Sequence, residues 1–423
     1  MTPKTYAALD ETVYSQVLSN GLTVKVLPKK GFSKKLAYFV TDFGSIHTRF
    51  RFDGADRQVS PGIAHYLEHK MFDLPDGSAA NFFAATGANP NAFTSYDMTA
   101  YYFSCTDAFD ENLRLLLRMV LTPYFTEESV EKERGIIAQE IRMYEDSPDS
   151  RVNEDLLEIL YASHPVRVPI AGTVESIGHI RAEDLYDCHR AFYRPENMVL
   201  CVVGDVDPQH VMEVVDACVQ KHEAPLPVRD YGAPETMHPL RATKERRMEV
   251  SMPTFALGFK AEPIPFGQDS LRASLVGAMA SDLLMGDSSP LFESLYDTGL
   301  INSEFGSGFD SGKGSCVLIA SGDSRDPQAV CAAVLKEAER IRAEGIDTER
   351  FMRLLRAQYG SYLRAIDSFD RICYRICSGY FSGADALRFP EAFERITPQS
   401  ILQFIDTVVR PERMALAVVR QEV

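Results

Sequence analysis

In residues 62–72, GIAHYLEHKMF, the apolar positions Ile63, Leu67 and Met71 recur at helical spacing, and Pro61 suits a first helical turn. A helix is predicted there. Upstream, VLSNGLTVKVLP alternates apolar and polar residues about Asn20-Gly21, which predicts a hairpin closed by a tight primed turn. KLAYFVTDFGS reads as a further strand leading into the helix. GANPNAFTSYDMTAYYFSC, rich in β-branched and aromatic residues, should hold one or two more. TEESVEKERGIIAQEIRMYED predicts a long helix from about Glu127 to Asp146, with Thr126 as its cap, a Ser-Pro-Asp turn as its stop, and Val130, Ile137, Ile141 and Tyr144 as its apolar stripe. Strands and helices mix without regular alternation, so the expected class is α+β, antiparallel sheets covered by helices.

The chain also repeats itself. HIRAEDLYDCHRAFYRPENMVLCVVGDV begins at His179 and RITPQSILQFIDTVVRPERMALAVVRQE at Arg395. Pro195 aligns with Pro411, Met198 with Met414 and Val202-Val203 with Val418-Val419, all at one offset. Each copy reads as a helix, an Arg-Pro-Glu turn that stops it, and an apolar strand. The offset is close to half of the 423 residues, which predicts two homologous domains, 1–220 and 241–423, joined by the Pro-rich linker KHEAPLPVRDYGAPETMHPL at 221–240.

Charge and cysteine usage narrow the partners. A net charge of -16 repels phosphate backbones on average, so no nucleic-acid partner is expected. No apolar run is long enough to span a bilayer, and the first residues lack the basic and apolar regions of a signal peptide. The eight cysteines include no CxxC pair and read as reduced thiols, which suggests the cytoplasm. Cys373 and Cys377 share a helix face, where core packing is the simpler reading.

The helix at 62–72 carries the candidate chemistry. At ~100° per residue, His65 and His69 lie about 40° apart, with Glu68 about 60° to the other side of His65. Two imidazoles one turn apart can reach one metal ion, and the adjacent carboxylate can sit over its open position. A hydrolytic zinc site needs a third protein ligand. On the long helix, Glu127, Glu131 and Glu145 fall on the solvated flank, whereas Glu133 and Glu140 stack two turns apart beside the apolar stripe. Carboxylates so placed call for a positive partner, and either a buried cation or a salt bridge to an arginine fits the spacing.

HxxEH followed some seventy residues on by Glu-x6-Glu resembles the pitrilysin/insulinase family of inverted-motif zinc peptidases. SNGLTV, GIAHYLEH, NAFTSYD, EKERGIIAQEI, IAGTVESI and YRPENMVLCVVGDV all look like stations of that family, in its half-length, processing-peptidase-like branch. LPKKGF, HYLEHKMF and HPVRVPIAGTVESI look closest to bacterial members associated with aminopentanol modification of elongation factor P. The resemblance implies one zinc per chain held by His65, His69 and Glu140, Glu68 as general base, and Glu133 supporting the ligands from behind. It also implies a peptide substrate that adds to the strand carrying Asn91, Ala92 and Phe93.

The second half departs from the pattern. Its equivalent helix, ASLVGAMASDLLMG, has no HxxEH, and in SSPLFESLYDTGLINSEF Tyr296 stands where active relatives carry a substrate-gripping arginine, with no tyrosine following at the right distance. The resemblance therefore implies a heterodimer with a related subunit that lacks HxxEH and supplies the Arg/Tyr pair across a closed chamber, or a homodimer in isolation. The competing reading is a non-catalytic accessory or scaffold subunit. GSGFDSGKGS fits no phosphate-loop spacing and reads as a hairpin loop, and KERR at 244–247 as a short solvated charge run.

Overall fold

The computed structural model describes residues 1–221 and 225–422; residues 222–224 of the expected linker lie outside the described residues. The chain forms two compact units, each gathered from three stretches. The first comprises Met1–Ile141, Pro169–Tyr231 and Leu363–Ser382, and the second Arg142–Val168, Gly232–Tyr362 and Gly383–Val423. A cut into 1–220 and 241–423 does not trace these units, because residues 142–168 fall with the second and residues 363–382 with the first. The physical reason is coverage. The amphipathic helix Pro148–Leu160 lies on the second unit's strands Thr254–Ala261 and Met414–Gln421, and Phe369–Ser382 lies on the first unit's strands Met198–Gly204 and Lys35–Thr41.

The first unit is built on a seven-stranded sheet ordered Thr2–Tyr6, Glu11–Val17, Thr23–Pro28, Met198–Gly204, Lys35–Thr41, Thr99–Cys105, Asn89–Thr94. All neighbours run antiparallel except Met198–Gly204 beside Thr23–Pro28. The second unit's five-stranded sheet is ordered Thr243–Met248, Met414–Gln421, Thr254–Ala261, Ser315–Asp323, Gly306–Gly312, again with one parallel pair, Thr243–Met248 beside Met414–Gln421. The internal repeat survives element by element. Helix Ala182–Phe192, the turn Pro195–Asn197 and strand Met198–Gly204 correspond to Pro398–Val408, Pro411–Arg413 and Met414–Gln421 at the offset read from the sequence. The fold is α+β, with two homologous sheets covered by helices.

Several local expectations change. The first hairpin closes through a five-residue loop, Leu18 to Leu22, rather than a two-residue turn. Asn20 is buried there: its Oδ1 accepts from Leu22 N at 2.9 Å and its Nδ2 donates to Val219 O at 3.0 Å, so the side chain anchors the loop. GSGFDSGKGS is mostly strand, Gly306–Gly312, turning at Lys313-Gly314. The KERR run is not simply solvated. It lies in strand Thr243–Met248, where Lys244 and Arg246 both reach the buried Asp155, Arg246 through two hydrogen bonds of 2.8 Å.

Cys373 and Cys377 share a buried helix face as expected, and they pack against Cys201 of the underlying strand, with all three thiols fully buried. Burial pushes the Cys373 and Cys377 thiols well up, which keeps them protonated and unreactive. All eight cysteines are free. No described helix is long and apolar enough to cross a membrane.

Candidate metal centre

The histidine-bearing helix runs Ile63–Lys70, with Ile63, Leu67 and Met71 all but fully buried. Pro61 lies just outside it. The residue before the helix, Gly62, adopts φ 89°, and a Cβ there would stand 2.4 Å from the Ala171 carbonyl oxygen. Gly172, at φ 74°, returns the approach: its Cβ would stand 2.5 Å from Pro61 O. Only glycine permits both the left-handed backbone and this contact. Ser176 Oγ donates to Pro61 O at 2.9 Å, so the AGTVES segment clasps the start of the helix and sets its angle.

The long helix spans Glu127–Glu145, with Thr126 Oγ1 accepting from Ser129 N at 3.1 Å as its cap. Val130, Ile137 and Ile141 are buried, but Tyr144 is exposed, so the stripe ends one turn sooner than its pattern suggests. Glu127, Glu131 and Glu145 are exposed, while Glu133 and Glu140 keep only 20% and 24% side-chain exposure and face the first helix.

There His65, His69 and Glu140 come together, with one ligand atom from each lying within 4.8 Å of the others. His65 Nε2 stands 3.6 Å from Glu140 Oε1, and His69 Nε2 stands 3.5 Å from Glu140 Oε2. The two imidazole rings are 4.7 Å apart at their centroids and inclined by 66°. Separations of 3.5–3.6 Å are long for hydrogen bonds, yet they match the edges of a tetrahedron with metal–ligand bonds of about 2.1 Å, roughly 3.4 Å. Two neutral-capable imidazoles and one carboxylate are a donor set suited to zinc with a position left over. The residues fit the ion.

Around this trio, Glu133 Oε1 accepts from His69 Nδ1 at 3.0 Å, which leaves Nε2 as the free face of that ring. That hydrogen bond holds the Glu133 carboxyl below its ordinary range. Burial alone would lower the His69 pKa, but the Glu133 bond and the neighbouring carboxylates raise it. Both carboxylates face the imidazoles: Glu133 reaches His69, and Glu140 reaches His65 and His69. Glu68 is 9% exposed, and desolvation raises its carboxyl, partly offset by a hydrogen bond from Thr94 Oγ1 to its Oε2 at 2.6 Å.

Asn91, Ala92 and Phe93 lie on the edge strand Asn89–Thr94, which among the described residues has a partner on one side only. They do not share a face. Ala92 packs against the helix-covered core, as Tyr101 opposite it does. Phe93 lies on the other face, with its ring 6.4 Å from Tyr102 and 6.0 Å from Tyr374. Thr94 escaped the sequence reading, since nothing in NAFTS marks a partner 26 residues upstream. Of the remaining histidines, His164 and His189 are buried on backbone carbonyls, Nε2 to Lys313 O at 2.9 Å and Nε2 to Val120 O at 3.0 Å.

With that geometry in hand, comparisons with known proteins define the class. Residues 54–174 match the model described as Insulinase (Peptidase family M16), and residues 179–358 match the one described as Peptidase M16 inactive domain. The chain belongs to peptidase family M16, in a half-length form. It is 38% identical to the uncharacterized zinc protease YmfH of Bacillus subtilis (strain 168), over 98% of each chain. Among solved structures, the M16-like peptidase of Alicyclobacillus acidocaldarius superposes with a TM-score of 0.93 at 32% identity, covering 98% of this chain and 99% of that one. A protease from Helicobacter pylori shares the fold at TM-score 0.84 and 19% identity, over 96% and 99%.

Proposed function

We propose that this chain is a zinc-dependent endopeptidase that hydrolyses peptides or small unfolded proteins. The observation that carries the reading is the convergence of His65 Nε2, His69 Nε2 and the Glu140 carboxylate, with Glu68 beside them. Zinc bound there would act as a Lewis acid, easing deprotonation of water and stabilising charge on the carbonyl oxygen.

The chain's own residues would do the rest. Glu68, desolvated and therefore more basic than a surface carboxylate, takes the proton of the attacking water and later delivers it to the leaving nitrogen. Glu133 keeps the His69 ring turned so that Nε2 faces Glu140. The open edge of Asn89–Thr94 offers backbone hydrogen bonds to an extended peptide, with Phe93 on one face and Ala92 on the other. Eight free thiols suit a reducing compartment, and the cytoplasm is the proposed location.

Glu68→Gln tests the reading. It should retain zinc, assayed by metal content, and lose at least a hundredfold in turnover of a quenched peptide. A chelator should abolish wild-type cleavage, and added zinc should restore it. Retained turnover in Glu68→Gln would refute the mechanism. Inactivity of every preparation despite full zinc content would favour an accessory subunit.

A further inference from the structure

The edge strand does more than present a surface. We infer that Thr94 is the positioning residue for the general base: its hydroxyl fixes the Glu68 carboxylate, so the strand that would take the substrate also aims the base. The inference rests on the peptidase reading above and deepens it.

Thr94 Oγ1 lies 2.6 Å from Glu68 Oε2, the short separation of a hydroxyl donating to a carboxylate. Among the described residues no hydrogen bond reaches Glu68 Oε1, so one oxygen is anchored and the other is left for the reaction. The direction of the bond is set by the carboxylate, which as a base can only accept. Thr99 Oγ1, opposite Thr94 in the ladder, gives its one proton to the Phe43 carbonyl at 2.8 Å and stands 3.5 Å from Thr94 Oγ1. Thr99 Oγ1 could accept in turn, but at 3.5 Å it competes poorly with the Glu68 oxygen at 2.6 Å, so the Thr94 proton goes to Glu68.

The Thr94 bond ties the base to the edge strand rather than to its own helix. Thr94 is β-branched and sits in a strand, where χ1 is restricted, so the hydroxyl is held with little freedom to lose. Side chains alternate along the strand, and Thr94 shares the face of Ala92, towards Glu68, while Phe93 turns away. A peptide paired to this strand would be registered against the same backbone that carries Thr94. Base and scissile carbonyl would then share one frame, and a misplacement of about 1 Å in such an arrangement costs on the order of a hundredfold in rate.

Thr94→Val keeps the β-branch and removes the hydroxyl; Thr94→Ser keeps the hydroxyl. Thr94→Val should lower kcat by about tenfold to a hundredfold, with KM, zinc content and thermal midpoint within error of wild type. Thr94→Ser should recover most of kcat. A crystal structure of metal-free Thr94→Val should show the Glu68 carboxylate in more than one rotamer, and Thr94→Ser a single one. Unchanged kcat in Thr94→Val, or a loss seen wholly in KM, would overturn the inference. So would a loss that Thr94→Ser fails to recover. Failure of the peptidase reading looks different: either zinc-loaded wild type cleaves nothing, or Glu68→Gln keeps its turnover whatever Thr94 does.

Discussion

At His69 the two ring nitrogens face different partners, Nδ1 towards Glu133 at 3.0 Å and Nε2 towards Glu140 at 3.5 Å. Removing the negative charge at Glu133 should therefore act on the metal rather than on the fold. Glu133→Gln is expected to weaken zinc affinity about tenfold to a hundredfold, read by competition with a chromogenic chelator, while the metal-free thermal midpoint moves little. At this scale the sequence was informative about spacing and silent about encounter. HxxEH places two imidazoles on one helix face by arithmetic, and Glu133 and Glu140 share an edge by the same arithmetic. Spacing could not separate a cation from an arginine as their partner, because that depends on a second element 64 residues away. The bond between Thr94 and Glu68 was illegible for the same reason: it spans two elements whose relative register no periodicity encodes.

At the scale of elements, the approach of residues 61–62 to residues 171–172 governs where the histidines point. Gly62→Ala places a Cβ 2.4 Å from a backbone oxygen at a positive φ, and backbone yields less readily than a side chain. The strain and overpacking together should destabilise the protein by about 2–4 kcal/mol in urea unfolding, with zinc affinity falling in parallel. An unchanged urea midpoint would mean that this clasp is loose. Helices and strands with clear periods were readable in advance, including the boundaries of the long helix and the strand character of residues 89–105, though not whether these held one strand or two. The loop at Asn20 was not, because its conformation is set by Val219, far along the chain. The KERR strand was not, because its alternation of ion-paired and solvated positions depends on Asp155.

For the whole molecule, the duplication holds for five strands of each sheet, the first adding Thr2–Tyr6 and Glu11–Val17, and is incomplete in chemistry. Helix Ser270–Met285, in the place of the histidine-bearing helix, contributes no metal ligand, so titration should find one zinc per chain. Tyr296 is 51% exposed on its own helix, and no arginine stands in its place. The proposed heterodimer follows from that vacancy in the motif. The purified chain alone should cleave peptides at least tenfold more slowly than a mixture with a related subunit carrying the Arg/Tyr pair, by analogy with the size of a single electrostatic contribution to transition-state binding. Full activity of the lone chain would remove the need for a partner. The repeat itself was visible in the residues because the same Arg-Pro-Glu turn twice separates a helix from an apolar strand. The exchange of residues 142–168 and 363–382 between units was not, since an amphipathic stripe shows that a helix is covered without showing by which sheet.

Pro90 lies in the edge strand opposite Phe103. A proline tolerated in a sheet turns its missing donor outward, so the open rim loses a hydrogen bond at that step. What remains for an incoming chain is the stretch from Asn91 to Thr94, too short for two copies to stack into a fibre-like ribbon yet adjacent to the glutamate that Thr94 holds. The rim is thus guarded against self-association by the same brevity that would confine a guest to a few residues.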